Sequence, residues 1–476
     1  MANVIGDEHG ITDKQWAKLT EEVEPLIPII MKEIVGHKRH PNITPTRYGL
    51  LPANTELTDE LIERAKKLKG RYDNLVVLGI GGSALGNIAL QTALNPYMYN
   101  LDDNQRQGWP RLFVLDNVDP AQLSSFLKWL DDGLKRTLFN VISKAGRTAE
   151  TVAQLLIIKE KLEDTQEPLA DHIIVTTGFE INKEGKIDST LYKIADELKL
   201  PMLEVPKDVG GRFSVLSAVG LFSAAMCGIE IDELLAGARY MHERVSCENF
   251  EENPAAINAA INYHYYNHGK KNSVIVPYAY ALKDMADWYR QLWAESLGKK
   301  LDLNKREVWI GPTPVKALGA TDQHSQVQLY REGPNDKLFT FLQVEHFDED
   351  IKIGPAPDCA PELGFLAGKK MSELLNNEKK ATEYALLESK RPNLTVIFDK
   401  VNAYTIGQFI YLYEVTTSLA GALFNINTYD QPAVELGKEA TFALMGKNGE
   451  YKKNYTYEQF AQDIRAKTNV DVSFLV

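Results

Sequence analysis

Residues 139–161 read FNVISKAGRTAETVAQLLIIKEK. Phe139, Val141 and Ile142 open the stretch as a buried strand. Val152, Leu155 and Leu156, with the stem of Lys159, close it on helical spacing. Where strand becomes helix the chain sets Ser143, Lys144, Ala145, Gly146, Arg147 and Thr148, which supply hydroxyls, a glycine and two cations. The first amides of a helix point outward without intrahelical partners and are a natural place to hold an anion. From this loop alone an ordinary Ser/Thr helix cap reads the same way.

The strand-then-helix pattern extends in both directions. NLVVLGI, RLFVLDNV, DHIIVTTG and PMLEVP are strand-like runs separated by helix-like ones, and NSVIVPYAY, KLFTFLQVE and NLTVIFD resume the pattern after a helical stretch from Ser214 to Tyr266. Strands joined by connections long enough to carry a helix pair in parallel, and parallel sheets are covered on both faces. The expected class is α/β with two αβα layers. A chain of 476 residues also exceeds one ordinary core. We expect a polar helical N-terminal segment at 1–70 that leads rather than forms core. Domains at 71–235 and 236–446 follow, then a polar tail at 447–476.

The net charge of -12 argues against nucleic acid as the main partner while leaving room for a local anion pocket. Cys227, Cys247 and Cys359 lack CxxC spacing, and an odd count suits reduced thiols and a cytoplasmic location. MANVIGDEHG has no basic start followed by an apolar core, so no signal peptide is expected. The uncharged run from Phe213 to Ile229 falls short of a membrane span and reads as a buried helix, so no membrane partner is expected.

Two further loops share the chemistry of the first. In VVLGIGGSALGNIAL, Gly79, Gly81 and Gly82 permit a sharp turn and close ligand approach, and Ser83 offers a hydroxyl at the start of a helix. Gly79-x-Gly81-x-x-Ala84 also meets the permissive dinucleotide fingerprint, with Asp116 as the acidic residue such a site requires. A dinucleotide fold has no use for a second hydroxyl-and-glycine cradle two strands later. A phosphomonoester does, because its terminal oxygens accept many hydrogen bonds. The third loop, DVGGRFSVLSAVGLFSAAM, puts Gly210, Gly211 and Arg212 at the mouth of an apolar helix read as starting at Ser214. That arginine needs a carboxylate partner elsewhere in the fold, or faces charge that builds on a substrate oxygen.

Together these stretches resemble the phosphoglucose isomerase family. GIGGSALG and the Ser-Lys loop look like its phosphate-binding loops. KDVGGRFSVLSAVG and NINTYDQPAVELGK resemble its two signatures, and the likeness runs from about Asn74 to Lys438. The resemblance implies two sugar-isomerase (SIS)-type αβα domains with the active site between them. It implies a homodimer in which a neighbouring subunit completes each site. The implied reaction interconverts glucose 6-phosphate and fructose 6-phosphate in glycolysis and gluconeogenesis, through ring opening and a cis-enediol, with no cofactor. Its implied partner is a small sugar phosphate. Substrate would be held by Gly82, Ser83, Ser143, Ala145, Gly146, Thr148, Gly211 and Gln431.

Such chemistry needs a general base, acid–base groups for ring opening and positive charge near the enediolate. Glu295, in DMADWYRQLWAESLGKK, shares a helix face with Trp288 and Leu292 near the helix C-terminus. Both surroundings disfavour a charged carboxylate, as a base poised near neutrality requires. An ion pair with Lys299 is the plain structural alternative. Longer family members carry a glutamate where Ala317 stands here, which sends the base assignment to Glu295, the match in the shorter bacterial pattern. The resemblance further implies His324, in TDQHSQ, for ring opening, Arg212 for charge stabilisation, and Lys438 for the ring oxygen, with Lys438 expected to point inward. The Ser-Lys loop departs from the family at Ala145 and Arg147, which loses one hydroxyl. His264 and His268 are spaced i, i+4 without the glutamate of a zinc motif, so no metal is expected.

Overall fold

The computed structural model describes residues 10–181 and 187–468. The end read for a signal peptide, 1–9, and the last residues of the tail, 469–476, lie outside them. The chain divides into two compact units, Met1–Thr428 and Tyr429–Val476.

The first unit holds two parallel sheets. In one, β1 (Asn74–Leu78), β2 (Arg111–Leu115), β3 (Thr137–Ser143), β4 (Ile173–Thr177) and β5 (Met202–Glu204) lie in the order β2-β1-β3-β4-β5. β1 pairs in parallel with both β2 and β3, with Leu78 opposite Leu115 and Val141. Every residue of β1, β3 and β4 is buried, as strands covered on both faces must be. The helix Lys283–Leu297 follows β6 (Asn272–Pro277) and leads into a hairpin of β7 (Lys299–Leu301) and β8 (Glu307–Ile310). β9 (Thr313–Lys316), β10 (Lys337–Val344) and β11 (Asn393–Phe398) join β6 in a second parallel sheet, ordered β11-β10-β6-β9. Both sheets thus begin in the middle, place their second strand on one edge and continue on the other side.

All eight strand-like runs are strands. β9 was missed because TPVK is short, half-exposed and contains a proline, which suits an edge position. Two local readings change. The inner face of Ala149–Thr165 consists of Thr151, Gln154, Leu155, Ile158 and Leu162, while Leu156 faces solvent. The polar Gln154 turns inward because its amide donates to the carbonyls of Leu115 and Asn117, just past β2. The apolar helix after Arg212 starts at Ala218, capped by Ser217, and all nine of its residues are buried.

The leading segment is itself core. Val23, Ile27, Ile30 and Leu61 are buried, and Tyr48 stacks on Phe213 at 4.7 Å while bonding Ser418. Its polar look reflects only the outer faces of amphipathic helices.

The second unit contains the turn Pro432–Val434, the helices Glu435–Leu444 and Tyr457–Lys467, and a hairpin of β12 (Glu450–Lys452) and β13 (Tyr455–Thr456). Its own small core is built on Ala443, Tyr457 and Ala461. No helix among the described residues is long and apolar enough to cross a membrane.

Candidate active site

In an open parallel sheet, ligands gather at the carboxyl ends of the strands where the order reverses, here between β1 and β3. The glycine loop leaves β1 and the Ser-Lys loop leaves β3 at that point. Equivalent helices from the two sheets then meet. Leu85–Leu94, after β1, runs antiparallel to Lys283–Leu297, after β6: Thr92 Oγ1 donates to Asp284 Oδ2 at 2.5 Å near one end, and the glycine loop meets Gln291 near the other. The second sheet therefore delivers the end of its helix, with Glu295, to the mouth of the first sheet.

The approach is tight enough to dictate glycine. A Cβ on Gly82 would lie 2.3 Å from the carbonyl carbon and oxygen of Gly211 and 2.8 Å from the Arg212 nitrogen. Gly81 has φ +57°, and a side chain there would press on Gln291 Nε2 at 3.1 Å. Gly82, Gly211, Arg212 and Glu295 thus share one location. Ser83 ends the Gly81–Ser83 turn, partly exposed, and Ala84 gives the following helix no side-chain cap.

Arg212 is buried and its Nη1 lies 3.2 Å from Glu295 Oε1. Nε donates to Ser296 Oγ at 2.7 Å, and Nη2 donates to the Thr428 carbonyl at 2.7 Å. Glu295 keeps 26% of its side chain exposed, and its second oxygen accepts from Gln291 Nε2 at 3.0 Å. The helix face pointed to a desolvated acid, with Lys299 as the alternative ion-pair partner; the structure gives a half-open carboxylate paired with Arg212. Trp288 and Leu292 are buried, but Glu295 emerges at the seam between the layers. Lys299 donates to the Glu295 main-chain carbonyl at 2.8 Å, and Arg212 supplies the carboxylate's ion pair. The carboxylate partner that the structural reading of Arg212 called for is thus Glu295.

In the second loop, Ser143 is buried and its hydroxyl lies 2.8 Å from the Thr148 hydroxyl. Thr148 precedes Ala149–Thr165 without capping it by its side chain, so the first amides of that helix are not taken by the cap residue. Ala145 is exposed. The Gly146 amide turns inward: it donates to Ser143 Oγ at 3.1 Å. Gly146 serves shape instead, with φ +67° and room for no Cβ, which would sit 2.0 Å from Ser189 Oγ. Arg147 faces solvent, 3.4 Å from Asp188, so it does not replace the hydroxyl lost at Ala145. Lys144 turns to the Val209 carbonyl at 3.1 Å, tying this loop to the chain leading into Gly210.

The remaining candidates lie elsewhere. His324 ends the turn Thr321–His324 and is exposed. The turn is anchored by Gln323, which donates to Tyr278 and Thr382, and by Asp322, which accepts from the Leu318 amide. The strand leading there is joined to the Glu295 helix by Lys316 and Asp287, 2.6 Å apart. Ala317 is packed with Tyr278, Phe339 and Phe341 in the second-sheet core, where a glutamate would have no solvent. Gln431 and Lys438 belong to the second unit. Lys438 does not point inward: its side chain is 55% exposed and donates to Glu435 at 2.8 Å, because the helix face it shares with Val434 is open.

Sequence reasoning did not single out Gln291 and did not give Ser296 a role. Gln291 was legible as the residue one turn before Glu295 on the same face. The Arg212–Ser296 contact joins residues 84 positions apart and left no local signal.

His264 and His268 stack with ring centroids 4.1 Å apart, and His268 Nδ1 lies 2.7 Å from the His264 carbonyl. Burial, then the neighbouring His268, pushes His264 down to about 4. Glu345, His346 and Asp399 also cluster, exposed, at the ends of β10 and β11, with His346 Nδ1 2.8 Å from Asp399.

Paired parallel layers joined through equivalent helices, with glycine- and hydroxyl-bearing loops at the strand ends and a carboxylate delivered beside one of them, fit the sugar-phosphate isomerase class of α/β proteins. The phosphoglucose isomerase family matches residues 63–459, and the chain belongs to that family. It is 48% identical over 391 residues to a glucose-6-phosphate isomerase of Carboxydothermus hydrogenoformans, covering 82% of each chain. It is 39% identical to that of Rubrobacter xylanophilus, covering 94% of this chain and 97% of the relative. Among solved structures, a hypothetical protein from Thermus thermophilus superposes with a TM-score of 0.80 at 32% identity, over 91% of this chain and 98% of that one. A glucose-6-phosphate isomerase from Chlamydia trachomatis, 20% identical, shares the fold with a TM-score of 0.77 over 96% of this chain and 90% of that one.

Proposed function

We infer that the meeting point of Gly82, Gly211, Arg212 and Glu295 is the catalytic centre of this isomerase, which interconverts glucose 6-phosphate and fructose 6-phosphate in glycolysis and gluconeogenesis. The substrate's phosphate rests on the hydroxyls of Ser83, Ser143 and Thr148 and on the amides near Gly82 and Ala145, with Gly146 and Gly211 shaping the cradle. Lys438 and His324 handle the protons of ring opening, and Gln431 contacts the phosphate or hydroxyls. Glu295 then takes the C2 proton, the cis-enediol forms, and the proton returns at C1. The Arg212 cation orients the carboxylate and offsets charge on the enediolate oxygen. No step calls for a metal or a nicotinamide. The assembly is a homodimer in the cytoplasm, with His324 contributed to the neighbouring subunit's site.

The observation that carries this reading is the delivery of Glu295 by the second sheet's helix to Arg212 and the glycine loop of the first, seen in the Arg212–Glu295 ion pair and the close approach of Gly81 to Gln291. The test is exchange of the C2 proton of glucose 6-phosphate in deuterated water. Glu295→Gln is expected to lower exchange by at least about a thousandfold, within the upper range of general-base effects, while sugar-phosphate affinity stays within about threefold. Exchange that survives the substitution places the base on another residue.

A further inference from the structure

Ser296 is fully buried, yet it interrupts a helix face with a hydroxyl that packing alone does not require. Alanine there would raise helix propensity and remove a polar group from the core. Its Oγ instead accepts the Arg212 Nε proton at 2.7 Å. On the other side Nη2 meets the Thr428 carbonyl at 2.7 Å. That carbonyl is a fixed point: a Cβ on Gly421 would lie 2.0 Å from Thr428 Oγ1, so residue 428 is pressed against the helix Ala403–Leu423. A guanidinium is planar, with donors in a rigid fork. Setting Nε and Nη2 therefore sets Nη1, which lies 3.2 Å from Glu295 Oε1. Ser296 and Glu295 are successive residues, about 100° apart around the helix. One helix thus grips both the edge of the arginine and the tip it presents to the carboxylate.

We propose that Ser296 is a positioning residue for the isomerisation: its hydroxyl fixes the plane of the Arg212 guanidinium, and the guanidinium holds the Glu295 carboxylate at the substrate's C2. The proposal rests on the reading of Glu295 as the base. Ser296 touches no reacting atom, so its removal acts on turnover and spares ground-state binding.

The test compares kcat and KM for fructose 6-phosphate with the Kd of sorbitol 6-phosphate, which has no carbonyl and cannot isomerise. Ser296→Ala lowers kcat by about 10- to 100-fold, the scale of a small misplacement of a catalytic group, and leaves KM and the alditol Kd within about twofold. Ser296→Cys, which keeps a weak acceptor, recovers part of the rate. In an Arg212→Lys background, where the fork is gone, Ser296→Ala adds less than about twofold. A Ser296→Ala enzyme with wild-type kcat overturns the proposal, as does equal loss of kcat and alditol affinity, which marks a merely structural role. If the alanine variant does not fold, the cysteine variant decides by the same split between kcat and Kd. C2 exchange retained in Glu295→Gln overturns the parent reading and this proposal together; an indifferent Ser296 in an enzyme that needs Glu295 overturns this proposal alone.

Discussion

At the scale of single residues, charge was easier to locate from sequence than its surroundings. Arg212 and Glu295 stood out as charges on apolar faces, but their mutual contact depends on two sheets meeting and has no local signature. The hydroxyls of Ser143 and Thr148 were equally visible, whereas the inward turn of the Gly146 amide was not, because only the neighbouring segment at Ser189 dictates that conformation. His264 shows what burial does to a titrating group the site does not use. Its folded value, about 4, lies below the 6.5 of a free imidazole, so between these values the unfolded chain binds the extra proton. The stability it contributes is present above about pH 6.5 and is lost as pH falls toward 4. Relative to His264→Gln, the wild type should lose on the order of 2 kcal/mol between pH 7 and pH 4.5, read from urea midpoints. Parallel curves for the two proteins would contradict this account.

Among the elements, the helix Ala403–Leu423 is the main support of the site, because its end presses Thr428 against Arg212. Gly407 on this helix comes so close to Ile231–Val245 that a Cβ would meet the Leu234 carbonyl at 1.9 Å. Two turns later on the same face is Glu414, fully buried, with neither carboxyl oxygen hydrogen-bonded. Burial pushes its carboxyl well above the ordinary range, so it keeps its proton in the folded state. The sign is opposite to that of His264: the contribution is fully present below the unfolded value and is lost as pH rises above it. Glu414→Gln should therefore leave stability near pH 4.5 almost unchanged. It should gain up to about 1.4 kcal/mol per pH unit over the wild type as pH climbs toward 7.5. A flat difference in denaturant midpoint across that range would show that Glu414 ionises in the folded chain. Sequence alone gave no warning of this residue, since a glutamate in YLYEVTTS looks like an exposed turn of an otherwise apolar helix.

At the scale of the whole molecule, the strand pattern carried most of the fold. Parallel strands of a covered sheet are written as short apolar runs, and all eight such runs were found; what escaped was the half-exposed edge strand β9, the short hairpins β7–β8 and β12–β13, and the burial within residues 10–70. The repeated strand order of the two sheets is not visible as sequence similarity. It emerges only when the helices after β1 and β6 lie side by side. That pairing explains where Glu295 goes, and it leaves His324 exposed on a turn anchored to the second-sheet core. A residue so placed can serve a neighbouring copy of the chain, and a mixed assembly tests whether it does. His324→Ala and Glu295→Gln are each expected to lower turnover at least about a hundredfold. If the histidine acts across a homodimer, a hybrid of the two variants has one site carrying both defects and one carrying neither. Random reassortment of equal amounts makes about half the dimers hybrid, so activity should recover to about a quarter of the wild-type rate. If the histidine acts within its own chain, every site in the hybrid keeps one defect, and the mixture stays as inactive as its parents.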